Sequence, residues 1–178
     1  MRPLLPEHKF IAPYLKEIDK TRWYSNFGPL VTNFEVRLEE FFGLKNNCVL
    51  TVANGTSGLT ATMRAFGLER GTYCIVPSWT FMATAGAALA AGLIPYFVDV
   101  EEDTWAINPE ILKSTIKEID GKVTAVIVVA PFGSPVYSDK WDRFTDETGI
   151  KVIIDGAAAF DSISTLDFAK PKKTPSRW

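Results

Sequence analysis

The chain has 178 residues, 47% of them hydrophobic, enough for one α/β domain with a sizeable core and too apolar for a disordered linker. Its net charge of −2 is scattered with no basic stripe, which argues against a nucleic-acid partner, and no apolar run reaches membrane-spanning length. The single histidine, His8, and the two cysteines, Cys48 and Cys74, without CxxC spacing, predict neither a metal site nor a His-based triad.

Both cysteines sit in apolar, strand-like runs and are expected to be buried, reduced thiols of a cytoplasmic protein. The Met-Arg-Pro start lacks the apolar core of a signal peptide.

The first residues carry Pro3, Pro6 and Pro13, and residues 1–26 read as an N-terminal arm. Phe34, Leu38, Phe41 and Phe42 fall at helical spacing and predict a helix over Val31–Phe42, ended by Gly43. From there strand and helix alternate. Strands are predicted at Asn47–Val52, Thr72–Val76, Ile94–Val98, Val123–Ala130 and Val152–Ile154. Helices are predicted at Thr56–Phe66, Phe81–Ala91, Asn108-Pro109 to Ile119, and Ser138–Thr148. The valine-rich run Val123–Ala130 is continuously apolar, the mark of a parallel strand buried on both faces. The predicted class is therefore α/β, a mostly parallel β-sheet with flanking helices.

Open parallel sheets bind ligands beyond the carboxyl ends of their strands, and three segments point there. Asn54-Gly55-Thr56-Ser57-Gly58 lies between a predicted strand and helix. Its glycines admit close backbone approach, its hydroxyls can donate, and a helix N-terminus favours a phosphate. A simple helix cap by Thr56 or Ser57 explains this motif alone equally well. Pro77-Ser78-Trp79-Thr80-Phe81 offers an aromatic that could lie on a planar ring, although aromatics at such places more often belong to the core. Asp155 ends a buried apolar strand and is followed by Gly156, Ala157, Ala158 and Ala159, which leave room for a flat ring. A carboxylate there calls for a cationic partner, or else caps a helix.

In this order and spacing, the three segments resemble the DegT/DnrJ/EryC1/StrS aminotransferases from about Phe27 to Phe160. Phe27-Gly28-Pro29 with Phe34-Glu35, and Gly92-Leu93-Ile94-Pro95 leading to Phe97-Val98-Asp99-Val100, add to the likeness. The resemblance implies the large domain of a fold-type-I pyridoxal-phosphate transferase, here incomplete, acting with an amino donor on nucleotide-linked keto sugars as a homodimer. It implies that Gly55, Thr56 and Ser57 hold the cofactor phosphate and that Phe81 stacks on the pyridine ring. Asp155 would pair with the ring nitrogen and keep it protonated.

Two departures are visible. The position three residues after the aspartate, against the ring hydroxyl, is Ala158, where family members usually carry glutamine, or histidine in the dehydratase branch. The family's Schiff-base lysine lies well beyond the aspartate, and Lys170, Lys172 and Lys173 stand in a Pro-flanked stretch without its motif. The expected layout is thus an arm (1–26), a large-domain portion (27–165) and a polar tail (166–178) at the expected truncation point. The alternatives are a non-catalytic protein that binds a phosphate ligand or scaffolds a partner, and a sugar dehydratase of the same family.

Overall fold

The computed structural model describes residues 5–45 and 47–160. The chain divides into two compact units, one up to Thr51 and one from Val52 onward.

In the first unit, α1 (His8–Thr21) precedes α2 (Pro29–Phe41). The sequence reading left α1 inside an arm because Pro13 sits in its interior, where proline removes a helix hydrogen bond. The helix continues past it and ends at Arg22 in the left-handed conformation, φ 54°. Arg37 donates to the Tyr14 hydroxyl at 3.1 Å, tying α2 to α1. α2 starts with Pro29 at its first turn, a position that needs no backbone N–H.

The strand predicted at Asn47–Val52 does not form among the described residues. Its backbone donors go to carboxylates on α2 instead. Glu39 accepts from the Cys48 and Val49 amides at 2.7 and 3.3 Å, and Glu35 accepts from the Thr51 amide at 2.8 Å and its hydroxyl at 2.7 Å. Glu35 and Glu39 are one helical turn apart and share a face, so together they hold an extended segment without a ladder. Hydrogen bonding to Thr51, first from its amide and then its hydroxyl, holds the Glu35 carboxyl below its ordinary value. Cys48 is exposed, contrary to the expectation of a buried thiol, because its run never enters a sheet.

The second unit is a doubly wound parallel sheet, as the apolar runs predicted. In chain order it comprises α3 (Gly55–Ala65), β1 (Tyr73–Pro77), α4 (Met82–Ala91), β2 (Ile94–Val98), α5 (Pro109–Glu118), β3 (Val123–Val129), α6 (Ser138–Thr148) and β4 (Lys151–Asp155). The strands lie in the order β2-β1-β3-β4, every pair parallel.

Alternation along each strand divides the core in two. Cys74, Val76, Ala125 and Ile127 face α3 and α4, packing on Met63, Ala87 and Ala88. Ile75, Val126 and Val128 face α5 and α6, packing on Leu112, Trp141 and Phe144. The alanine face of α4 lets the backbone approach the sheet closely. Burial also pushes the Cys74 thiol up to about 12. On the other face, Lys113 of α5 bridges Glu110 and Glu147 of α6, which holds its ammonium above the ordinary range. Among the described residues no helix is long and apolar enough to cross a membrane.

Candidate cofactor site at the carboxyl edge

The strand order places a switch point between β1 and β3. The chain leaves β1 toward β2 on one side and leaves β3 toward β4 on the other, so the loops beyond these strands diverge and open a crevice. Beyond β1 lies the loop carrying Trp79 and Phe81. Beyond β3 lies a 3-10 turn, Pro131–Gly133. Asp155 is the last residue of β4, paired with Val129 of β3.

The Gly55-Thr56 turn reaches the same edge through helix packing. The Thr60 hydroxyl donates to the Ala87 carbonyl at 3.4 Å, and one turn later Arg64 donates to the Ala90 carbonyl at 2.7 Å. Both contacts advance in the same direction, so α3 and α4 run parallel. α4 begins just past the carboxyl end of β1, and the N-terminus of α3 therefore lies at that end too. The three sequence-predicted groups, Thr56-Ser57, Phe81 and Asp155, share one edge of the sheet.

Their immediate partners differentiate them. Asn54, not Thr56 or Ser57, caps α3, its side chain accepting from the Ser57 amide at 2.9 Å and the Ser57 hydroxyl at 3.1 Å. The Ser57 donors are thereby turned toward the cap. The Gly55 and Thr56 amides and the Thr56 hydroxyl have no protein acceptor among the described residues. A Cβ added at Gly55 would meet nothing within 4 Å, so the turn is open. Two unspent amides at a helix N-terminus, with a hydroxyl beside them, suit an anion with several oxygens.

Asp155 is partly buried. Its Oδ1 accepts from the Ala157 amide at 3.1 Å and closes an Asx turn, while Oδ2 has no protein partner among the described residues. The turn aims the carboxylate at the edge and keeps Ala158, which is exposed, beside it. Ala158 offers only a methyl group. Phe81 is the N-cap residue of α4 and stands 76% exposed, so it is not the core aromatic that its composition alone suggested.

Sequence reasoning did not single out the aromatic companions of this edge. The Trp79 ring meets Trp105 at 4.9 Å and Phe132 at 6.4 Å. Trp105 lies on the loop after β2, and Phe132 in the turn after β3. No local pattern announces either of them. Both have a left-handed backbone, φ 56° and 52°, which is invisible in sequence.

Clefts indent the second unit. One of about 660 Å³ is lined by Trp105, Phe132, Tyr137, Lys140 and Arg143, and one of about 340 Å³ lies between β2 and α5. Neither of these two clefts is lined by Thr56, Phe81 or Asp155, and the candidate site is defined by its chemistry. No cluster of metal-ligating side chains occurs among the described residues.

A cofactor with an anionic phosphate at one end and a protonated ring nitrogen at the other fits this donor set. Unspent amides meet the anion, a carboxylate meets the cation, and the exposed Phe81 ring lies on the loop after β1.

The chain is 33% identical over 159 residues to the dTDP-4-amino-4,6-dideoxy-D-glucose transaminase of Escherichia coli, covering 89% of this chain and 41% of that enzyme. It superposes on a DegT DnrJ EryC1 StrS aminotransferase from Brucella abortus with a TM-score of 0.75 and 31% identity, covering 84% of this chain and 40% of the other. It is similar as well to NtdA from Bacillus subtilis with bound cofactor PMP, with a TM-score of 0.73 and 26% identity, covering 83% and 33% of the two chains. This chain thus spans about two fifths or less of the length of these proteins. The sequence profile of the DegT/DnrJ/EryC1/StrS aminotransferase family matches residues 6–165, and the chain belongs to that family.

Proposed function

We propose that this chain forms the cofactor-holding part of a pyridoxal-phosphate-dependent aminotransferase acting on nucleotide-linked keto sugars. The observation that carries the reading is the convergence of the unspent Gly55 and Thr56 amides with the Asp155 carboxylate on one sheet edge. The transaminase relative, whose name specifies a dTDP-linked sugar, supports the substrate class. In this reading Gly55 and Thr56 hold the phosphate, Ser57 shapes the turn through Asn54, and Phe81 lies on the ring face. Asp155 holds a proton on the ring nitrogen by charge pairing. When bound, pyridoxal phosphate supplies an aldehyde that takes up amino groups and a ring that withdraws electrons from the substrate carbon. The working unit is a homodimer in the cytoplasm.

The amine that holds the aldehyde is assigned to no lysine of this chain. Lys170, Lys172 and Lys173 lie outside the described residues; with no positioned amine or base for the substrate carbon among the described ones, the chain alone is expected to bind the cofactor weakly and to transfer no amino group. Ala158 favours a second reading, a ligand-binding protein of the same fold, since a methyl group gives the ring hydroxyl no partner.

The test is to titrate the chain with pyridoxal phosphate, reduce with borohydride and map any labelled lysine. Saturable binding that weakens in Asp155→Ala, with no lysine labelled stoichiometrically, is the expected result. Absence of any saturable binding would refute the cofactor site. Stoichiometric label on Lys170, Lys172 or Lys173 with amino transfer to a keto sugar would overturn the assignment of the lysine.

A further inference from the structure

Four residues join β1 to α4, and the first three are spent on holding the loop still. The Ser78 amide donates to the Val98 carbonyl at 2.7 Å, and its hydroxyl donates to Asp99 at 3.1 Å. The Thr80 hydroxyl shares a 2.7 Å hydrogen bond with that of Thr84, which is fully buried in α4. The Trp79 ring lies against Trp105 and Phe132, whose rings also meet each other edge-on at 6.3 Å. The fourth residue, Phe81, has its carbonyl bonded to the Thr84 amide at 3.0 Å, while its ring is left to solvent.

The three packed rings stand on loops beyond three neighbouring strands, β2, β1 and β3, with Trp79 in the middle. The outer two pay for this arrangement in backbone strain. A left-handed conformation is unfavourable for a bulky aromatic and persists only where surrounding structure imposes it. Trp105 and Phe132 both adopt it. Two left-handed aromatics thus converge on one ring from opposite sides of the switch point.

We propose that Trp105 and Phe132 are positioning residues that brace Trp79 and thereby fix the direction in which the Phe81 ring is presented at the carboxyl edge. A ring held ready by its surroundings loses little freedom when a planar ligand docks on it, so the brace raises ligand affinity without touching the ligand. The proposal rests on the reading of Phe81 as the stacking partner of the cofactor ring.

The experiment uses the full chain with Trp105→Ala, Phe132→Ala, Trp105→Phe, Phe132→Tyr and Phe81→Ala, each checked for folding by circular dichroism. Should an Ala variant fail to fold, the Leu variant at that position takes its place. Two quantities are read: hydrogen exchange of the Trp79, Thr80 and Phe81 amides, and the pyridoxal-phosphate dissociation constant by titration. Loss of either outer ring should speed loop exchange by roughly tenfold through more frequent local opening. The same variants should weaken cofactor binding several-fold, and Trp105→Phe and Phe132→Tyr should restore both. Unchanged loop exchange in both ring-deleted variants would overturn the brace. A freed loop with unweakened binding, where Phe81→Ala does weaken it, would overturn the positioning role. If Phe81→Ala itself leaves binding unchanged, the stacking role of Phe81 falls, and a freed loop still upholds the brace.

Discussion

The amide of Ala130 donates to the carbonyl of Asp155 at 2.9 Å, extending the β3–β4 ladder to its last residue and fixing Asp155 at the mouth of the crevice. The backbone at this position is therefore set by the sheet, and the side chain is left for chemistry.

Asp155→Asn separates shape from charge. Asparagine keeps an oxygen for the Ala157 amide, so the Asx turn and the fold should persist. What is lost is the charge that keeps a proton on the ring nitrogen. In the complete enzyme, turnover should fall by about 100-fold or more, in the range found when a preorganised charge partner is removed, while cofactor affinity drops less. Near-normal kcat in steady-state kinetics would reduce Asp155 to a turn-closing residue.

Asn54 gives a second separation. Asn54→Ala removes the acceptor for the Ser57 amide and hydroxyl and should cost about 1 kcal/mol of stability. Asn54→Asp keeps an equally good cap, so its melting temperature should stay near that of the parent. It also places a negative charge beside the Gly55 and Thr56 amides and should weaken binding of a phosphate-bearing ligand. Equal affinity of Asn54→Asp and the parent at low salt would argue against a phosphate in this turn.

The Glu35–Thr51 contact predicts a pH response. The folded carboxyl lies below its ordinary value, so the stabilisation from this pair is complete above that ordinary value. It fades as pH falls through the depressed value, when protonation removes an acceptor from the Thr51 amide and hydroxyl. In an NMR titration the Thr51 amide shift should follow this depressed value, and Glu35→Gln should abolish the response. A midpoint at or above the ordinary glutamate range would contradict the hydrogen bonds described.

The two thiols should differ sharply. Cys74 is fully buried and its pKa is raised to about 12, so almost none of it is thiolate near pH 8. Cys48 is exposed. Iodoacetamide on the native chain should modify Cys48 and leave Cys74 untouched until denaturant is added, as peptide mass mapping would show. Native labelling of Cys74 at a comparable rate would mean that β1 opens readily.

The sequence by itself determined the wound sheet and placed Phe81 and Asp155 at strand ends. The valine-rich run Val123–Ala130 leaves little polar face for water, so it must be buried between helices, and strand-helix alternation then favours parallel pairing. Asn108-Pro109 and the glycine after Ala91 mark helix ends through local backbone preference, which needs no tertiary partner. Asp155 and Phe81 were legible because each stands just past an apolar run. The tertiary structure decided what local pattern does not encode. Cys48–Thr51 looks like a strand, but its amides are captured by Glu35 and Glu39, side chains 9 to 16 residues away in sequence. Asn54, and not Thr56 or Ser57, caps α3 because its side chain curls onto the Ser57 amide. Trp105 and Phe132 carry no motif, and they come together because β2, β1 and β3 end side by side. A ring's neighbours across a sheet edge depend on strand order, and strand order is settled only when the whole core packs.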